Sequence, residues 1–312
     1  MNRITWVVAE ADGNTIGAVV ARAKGDARAI ADGRVFIGKI RVKRADEKVR
    51  VGDRIEIAPP NEDHAAVKIL FRGEGIVVID KPAGISTIPD HAGSSESAIA
   101  LAARATNTKV TDLHPTSRLD REVSGVVIFA RTQQAAEALM EARTRGDYVR
   151  RYVGIAADVP ALESGIWDAA IGRARDPKLR AAFAATETKN DAKPSRTHYR
   201  VVARAGNFAL FAFAPETGRT HQIRVHAGHA GAPLLGDRAY GGATRFSLPS
   251  GKIVQSTRIY LHCAAVSIKK SAKIRTYLAV VPEELLAVWA ALGGDASAWD
   301  TAVACDVSSS LV

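Results

Sequence analysis

Two cysteines in 312 residues, Cys263 and Cys305, are too few for a disulfide framework or a thiolate metal site. That scarcity fits a reducing compartment, and a cytoplasmic protein is expected. Long apolar runs are also missing: none approaches the roughly 18 residues that a membrane helix needs. The opening M-N-R-I-T-W-V-V-A-E lacks the basic start and long apolar core of a secretory signal, so neither secretion nor membrane spanning is expected. Acidic residues are the third shortage. Lys plus Arg total 43 against 33 Asp plus Glu, a formal net charge of +10, which favours an anionic polymer over a small neutral metabolite as partner. No internal repeat is present. The 47% of hydrophobic residues is enough to bury a full core, and the length suits two domains or one large one.

The most informative segment present is S-R-L-D-R-E-V-S-G-V-V-I, residues 117–128. It sets Asp120 between Arg118 and Arg121, cations that would favour the charged form of its carboxyl. The G-V-V-I-F-A run that follows Ser124 is short, β-branched and bounded by a glycine, as a buried strand is. An acid on the loop entering such a strand faces outward from rigid scaffolding, a position suited to a nucleophile or a general base. The plainer alternative is an exposed Arg–Asp–Arg cluster capping a turn.

A second dense segment is E-T-G-R-T-H-Q-I-R-V-H, residues 216–226, which carries Arg219, His221, Gln222, Arg224 and His226. Extended, it would align Thr220, Gln222, Arg224 and His226; as a helix it would group Arg219, Gln222, Ile223 and His226. Periodicity leaves both open. Its donors suit phosphate oxygens, a base edge or a carboxylate partner. A metal site from His221, His226 and His229 competes, but the spacing is not a recognised helix-face pair and no cysteine lies near.

Along the chain, residues 1–60 differ in character from the remainder. Two alternating stretches, G-R-V-F-I-G-K-I-R-V-K and K-V-R-V-G-D-R-I-E-I, read as short strands with tight turns, crowded by Arg41, Lys43, Arg44, Lys48, Arg50 and Arg54. Residues 16–30 could form two short helices. The P-P-N-E-D run at 59–63 makes a linker. Beyond it, a strand at 76–80 leads into a K-P-A-G turn, where Lys81 is a cation that either faces an anionic partner or stabilises the turn. Helical patterns follow at 97–105 and 133–143, with strands at 150–156, 197–203 and 208–214. Residues 173–193 form a basic excursion, either a mobile loop or hairpin over nucleic acid or a solvated insertion. The last dozen residues read as a frayed tail.

Six segments, V-V-I-D-K-P-A-G, S-R-L-D-R-E-V-S-G, R-R-Y-V-G-I-A, E-T-G-R-T-H-Q-I-R-V-H, G-D-R-A-Y-G-G and L-H-C-A-A-V, resemble the RluA-type pseudouridine synthases in order and spacing, from about residue 67 to about 282. Three positions depart from that family's pattern. Ser117 stands for its usual His, Val123 for its Thr, and Arg150 for the Lys ahead of the tyrosine. The resemblance implies an α+β catalytic domain over 67–290 with a mixed, largely antiparallel central sheet and flanking helices, followed by an extension over 291–312. Residues 1–60 are similar to the small α/β RNA-binding domain shared by a small-subunit ribosomal protein and some tRNA synthetases, although its usual leading R-L-D is not evident.

The implied activity is isomerisation of uridine in structured RNA, ribosomal RNA favoured over transfer RNA, by a monomer without metal or organic cofactor. Asp120 would be the nucleophile or the base that opens a glycal route. Arg219 would match the family's paired arginine, Tyr152 would stack on the uracil or move the carbon 5 proton, and Leu261 would wall the base. Arg118 would fill the gap left by an everted base or hold a phosphate. Lys81, His221, Gln222, Arg224, Arg41 and Lys43 are the remaining expected RNA contacts. Two other classes stay open: an RNA-binding protein with a vestigial site, and a nucleoside hydrolase or glycosidase, for which only Glu122 offers a second acid.

Overall fold

The structure, a computed structural model, describes residues 4–23, 29–30, 34–38, 40–42, 44–57, 67–89, 97–158, 162–174, 180–183 and 191–307. The chain divides into two compact units, one of residues 1–67 with 85–111 and the other of residues 68–84 with 112–312. In the first unit, strands β1 (Ile4–Val7), β2 (Val35–Ile37), β3 (Ile40–Arg41) and β4 (Arg54–Ile57) form an antiparallel sheet in the order β1-β4-β2-β3. Helix α1 (Ile16–Arg22) buries Ile16, Val19 and Val20 in one cluster with Val35, Ile55 and Ile57. The alternation at residues 48–57 becomes a strand only from Arg54, because the V-G-D turn at 51–53 comes first, with Gly52 at φ 91°. Where two short helices were expected over 16–30, α1 is the helix described, and residues 24–28, like the linker at 59–63, lie outside the described residues. The same unit holds α2 (Ala98–Ala105), whose cap Ser97 accepts from the Ala100 amide at 3.4 Å.

The second unit is built from β5 (Lys68–Gly73), β6 (Ile76–Lys81), β7 (His114–Pro115), β8 (Ser124–Ala130), α3 (Gln133–Thr144), β9 (Tyr148–Ala157), β10 (Ser164–Trp167), β11 (Ala170–Arg173) and β12 (Arg180–Phe183). It continues through β13 (Thr197–Ala205), β14 (Phe208–Pro215), α4 (Gln222–His229), β15 (Arg245–Ser247), β16 (Ile253–Gln255), β17 (Leu261–Lys270), β18 (Lys273–Leu278), α5 (Glu283–Ala291) and α6 (Ala298–Ala304). Its central sheet runs β10-β13-β14-β9-β17-β8-β6-β5, with β18 beside β17 and β7 beside β8. Every pairing is antiparallel except β8 with β17, so the sheet is mixed and largely antiparallel, and the fold is α+β as expected. β8 is buried along its whole length, which is why its sequence is a continuous apolar run and not an alternating one.

The C-terminal residues do more than trail away. Trp289 and Trp299, carried on α5 and α6, are buried with Ile155, Leu210, Leu235 and Tyr260. Val307 packs on Ala212 and Ala214. The frayed tail expected over the last dozen residues is therefore corrected for 301–307, which the two apolar clusters hold down; residues 308–312 lie outside the described residues. Of the basic excursion, β12 pairs antiparallel with β11, Arg173 opposite Arg180. Among the described residues no helix is long and apolar enough to cross a membrane.

Candidate active site

Asp120 lies on the loop between β7 and β8, four residues ahead of the strand's first residue, and its carboxylate is about a quarter exposed, at 24%. The loop is a turn closed by the Val123 amide on the Asp120 carbonyl at 3.1 Å. Beneath it, the Gly84 amide donates to the Arg121 carbonyl at 2.7 Å and Arg121 Nε returns a bond to the Gly84 carbonyl at 2.8 Å. Lys81 Nζ donates to the carbonyls of Pro82 at 2.9 Å and Arg121 at 3.3 Å. Lys81 is wholly buried, and burial pulls its ammonium down to about 7 against the opposing charge of Asp120. Of its two expected roles, the RNA-facing one is corrected: Lys81 ties the turn from below.

Gly125 sets how closely this loop meets the sheet. Its φ is +118°, and a Cβ there would stand 2.2 Å from the Cys263 carbonyl oxygen of β17. Only glycine meets both conditions.

The cation that meets Asp120 comes from α4. Arg224 Nη1 donates to Asp120 Oδ2 at 2.8 Å, while its Nε and Nη2 grip Asp237 Oδ2 and Oδ1 at 2.7 and 2.9 Å. Asp237 is fully buried. Burial opposes the charge on Arg224, but the bonds to Asp237 and the neighbouring Asp120 hold its guanidinium firmly protonated. The Tyr240 ring lies 5.0 Å from the guanidinium carbon.

This corrects three expectations. Arg219 makes no ion pair among the described residues; its Nε donates to the Pro194 carbonyl at 3.1 Å. Arg118 and Arg121 are exposed and do not pair with Asp120. Arg224, expected to contact RNA, is buried as the partner of the acid. The physical reason is that the 216–226 segment becomes a helix only at Gln222. Arg224 then projects inward and Arg219 stays on the preceding turn.

His221 caps that helix at φ 58° and ψ 22°, a left-handed conformation costing a non-glycine residue of order 1 kcal/mol. Its Nδ1 is 2.8 Å from the Tyr240 hydroxyl and its Nε2 is 3.8 Å from Asp120 Oδ1. Burial lowers the imidazole below its ordinary range, against the nearby Asp120.

Gln222 is not available to RNA. Its Oε1 accepts from the Thr217 hydroxyl at 2.7 Å and the Arg219 amide at 3.0 Å, and its Nε2 donates to the Arg196 carbonyl and the Thr197 hydroxyl at 2.9 and 3.0 Å. All four bonding positions are used, so Gln222 fastens the loop to β13. His226 is consumed likewise, by Thr197 Oγ1 and the Ala169 carbonyl, both at 2.9 Å. Arg150 donates to the carbonyls of Pro215 at 3.3 Å and Thr217 at 2.6 Å, steadying the segment that leads to α4. Among the described residues no three His, Cys, Asp or Glu side chains gather as a metal group would require.

Tyr152 and Leu261 are both buried in the sheet. Tyr152 pairs with Cys263 of β17, and Cys263 pairs with Gly125 of β8. Two strand spacings, about 10 Å, therefore separate the Tyr152 and Gly125 backbones. Burial pushes the Tyr152 phenol far above its ordinary range, which disfavours a phenolate. Behind the loop runs a polar chain that no sequence motif announced. Arg258 Nη2 donates to Ser124 Oγ at 2.7 Å, Ser124 Oγ meets His262 Nδ1 at 2.8 Å, and Arg258 Nη1 reaches Glu284 at 3.1 Å. Asp237, Tyr240 and this chain were the residues that sequence reasoning left without a role. Arg41 lies over the Phe36 ring in the first unit, and Lys43 lies outside the described residues.

Residues 75–229 match the model of a family described as RNA pseudouridylate synthase. The chain is 36% identical over 219 residues to ribosomal large subunit pseudouridine synthase D of Xanthomonas campestris, an alignment covering 67% of this chain and 63% of that protein. It is 35% identical over 246 residues to the synthase D of Xylella fastidiosa, covering 73% and 70%. To ribosomal large subunit pseudouridine synthase C of Escherichia coli it is 30% identical over 259 residues, covering 77% and 78%. Two solved human structures share the fold. RNA pseudouridylate synthase domain containing 4 has a TM-score of 0.56 at 21% identity, covering 72% of this chain and 93% of that one. Domain containing 1 has a TM-score of 0.57 at 20% identity, covering 73% and 89%.

Proposed function

The chain belongs to the RNA pseudouridylate synthase family, and from that premise we propose that it isomerises uridine to pseudouridine in structured RNA with Asp120 as the reacting carboxylate. The observation that carries this reading is the 2.8 Å contact of Asp120 with Arg224, on a loop locked to a wholly buried strand. A pre-positioned carboxylate facing a fixed guanidinium can attack or deprotonate the sugar without reorganising at the moment of reaction.

The chemistry balances without a co-reactant. The bond from N1 to C1′ breaks, the uracil turns, and C5 bonds to C1′; the C5 proton is lost and N1 gains one. Asp120 serves as nucleophile at the sugar or as base toward a glycal. Arg224 offsets negative charge as the carboxylate is consumed and released. Tyr152 stacks on the uracil as a neutral phenol, and Leu261 adds to the apolar wall that keeps water from the detached base. The base must first leave its stack, at a cost of a few kcal/mol, and exposed Arg118 supports the gap or a phosphate beside it. Arg219 and Arg41 supply further phosphate contacts.

The substrate we favour is large-subunit ribosomal RNA, because the relatives that match over most of their length carry that specificity in their names. The enzyme acts in the cytoplasm as a monomer, and the first unit serves as an RNA-binding domain. The test uses RNA transcribed with uridine tritiated at C5, since each isomerisation releases one tritium to water. Wild-type enzyme should release tritium from a large-subunit ribosomal transcript without liberating free uracil, and Asp120→Asn should release none while keeping RNA affinity within a few fold. Free uracil would mean hydrolysis; turnover on transfer RNA alone would move the target.

A further inference from the structure

The loop motif and α4 leave one donor beside Asp120 unspent. His221 Nε2 lies 3.8 Å from Asp120 Oδ1, too far for a hydrogen bond, and it has no hydrogen-bond partner among the described residues. Its other nitrogen is committed. The backbone amide of Arg180 in β12 donates to the Tyr240 hydroxyl oxygen at 3.1 Å, and that same oxygen lies 2.8 Å from His221 Nδ1.

The Arg180 amide gives this chain a preferred direction. A backbone N–H can only donate, so the Tyr240 oxygen accepts from Arg180. The phenolic hydrogen is then free to point at His221, and in the arrangement that uses it Nδ1 accepts. A neutral imidazole carries one hydrogen, so that hydrogen sits on Nε2, the atom turned toward Asp120. Burial, together with the Arg224 and Arg180 charges, disfavours the imidazolium, while Asp120 and Asp237 favour it; the balance falls on the neutral side. The ring is held in place as well, edge-on to Tyr240 with centroids 5.7 Å apart, on a residue kept in a left-handed backbone conformation.

We infer that His221 is a further catalytic residue, donating its Nε2–H to a substrate oxygen lying against Asp120 Oδ1, and that Tyr240 is the positioning residue that fixes this tautomer. No proton changes owner in this role. The donor is present before the nucleotide arrives and is strengthened as charge develops on the oxygen it meets. The inference rests on the reading of Asp120 as the reacting carboxylate.

The experiment measures single-turnover tritium release from a large-subunit ribosomal transcript labelled at uridine C5, for wild type, Asp120→Asn, His221→Ala, Tyr240→Phe and the His221→Ala/Tyr240→Phe double variant. His221→Ala should slow release by about 100-fold with transcript affinity within a few fold. Tyr240→Phe, which keeps the ring over Arg224, should slow it by about 10-fold. Because Tyr240 acts through His221, the double variant should be no slower than His221→Ala; additive losses would overturn that dependence. If His221→Ala releases tritium at the wild-type rate while Asp120→Asn releases none, the role of His221 falls and the assignment of Asp120 stands. Turnover by Asp120→Asn, or none by wild type, removes the parent reading instead. The tautomer is checked without substrate by nitrogen-15 NMR of the full-length protein: Nδ1 of His221 should resonate as an unprotonated nitrogen in wild type and shift in Tyr240→Phe. A protonated Nδ1 in wild type would overturn the inference whatever the kinetics.

Discussion

Arg224 holds Asp120 with one nitrogen and Asp237 with the other two, so a single guanidinium joins the outward-facing acid to a fully buried one. The arrangement makes the position of Arg224 independent of substrate. Asp237 anchors two of its three donor nitrogens in a bidentate grip, and the third is left pointing at Asp120. A lysine could reach one carboxylate but not both, and an alanine would leave Asp237 buried without a counter-charge.

Arg224→Lys should therefore lose at least about 100-fold in single-turnover rate and also melt earlier, since the bidentate grip on Asp237 and the contact with Asp120 cannot both be kept. Arg219→Ala, five residues away, should keep its rate within a few fold and weaken only transcript binding. Tritium release and thermal melts on both variants check this. The reverse pattern, with Arg219 essential and Arg224 dispensable, would contradict the ion pair.

That pair of arginines shows what could be read from the residues and what could not. Asp120, the buried run after Ser124, the helices at 97–105 and 133–143 and the strands around Tyr152, Val201 and Phe211 are local patterns, and local patterns are what periodicity reports. Which arginine meets the acid depends on where α4 begins, and the left-handed cap at His221 decides that without any glycine to mark it. One signal was available. Arg224 sits between Ile223 and Val225, both buried, and an arginine inside an apolar helical stretch implies a buried partner. Lys81, at the end of V-V-I-D-K, carried the same signal. Gln222 did not: two of its four internal bonds reach residues 25 and 26 positions away, which no spacing rule reaches.

Gly125→Ala should be a damaging single methyl at the start of β8. The new Cβ would meet the Cys263 carbonyl oxygen at 2.2 Å on a backbone with φ +118°, so strain and overlap add. A loss of about 3 kcal/mol or more is expected, read as a lower urea midpoint. A midpoint within error of wild type would show that β8 and β17 can separate at this point.

Arg41→Ala tests the first unit as an RNA reader. If Arg41 meets a phosphate, the variant should bind all transcripts more weakly and reduce the slope of log affinity against log salt by about 1. Filter binding across a salt series measures it. An unchanged slope would assign Arg41 to packing on Phe36 alone.

His262 gives a pH signature with a defined sign. Burial pulls its imidazole down to about 4, with Arg258 adding to the effect and the Ala279 carbonyl opposing it. In the unfolded chain the same group titrates near 6.5. Between those values the unfolded state binds a proton that the native state refuses, so acidification from about pH 6.5 to about pH 4 favours unfolding, by of order 3 kcal/mol at the limit. Asp80 works in the other direction. Burial raises its carboxyl to about 6, so the native state takes up a proton first and is favoured by the same acidification. Wild type alone would mix the two, and the informative quantity is the stability difference between wild type and His262→Asn, in which Asp80 cancels. That difference should be greatest above pH 6.5 and shrink steadily toward pH 4 in urea denaturation at each pH. A difference independent of pH would mean that His262 is not the neutral acceptor of the Ser124 hydroxyl, and the polar chain from Arg258 would then need another hydrogen-bond direction.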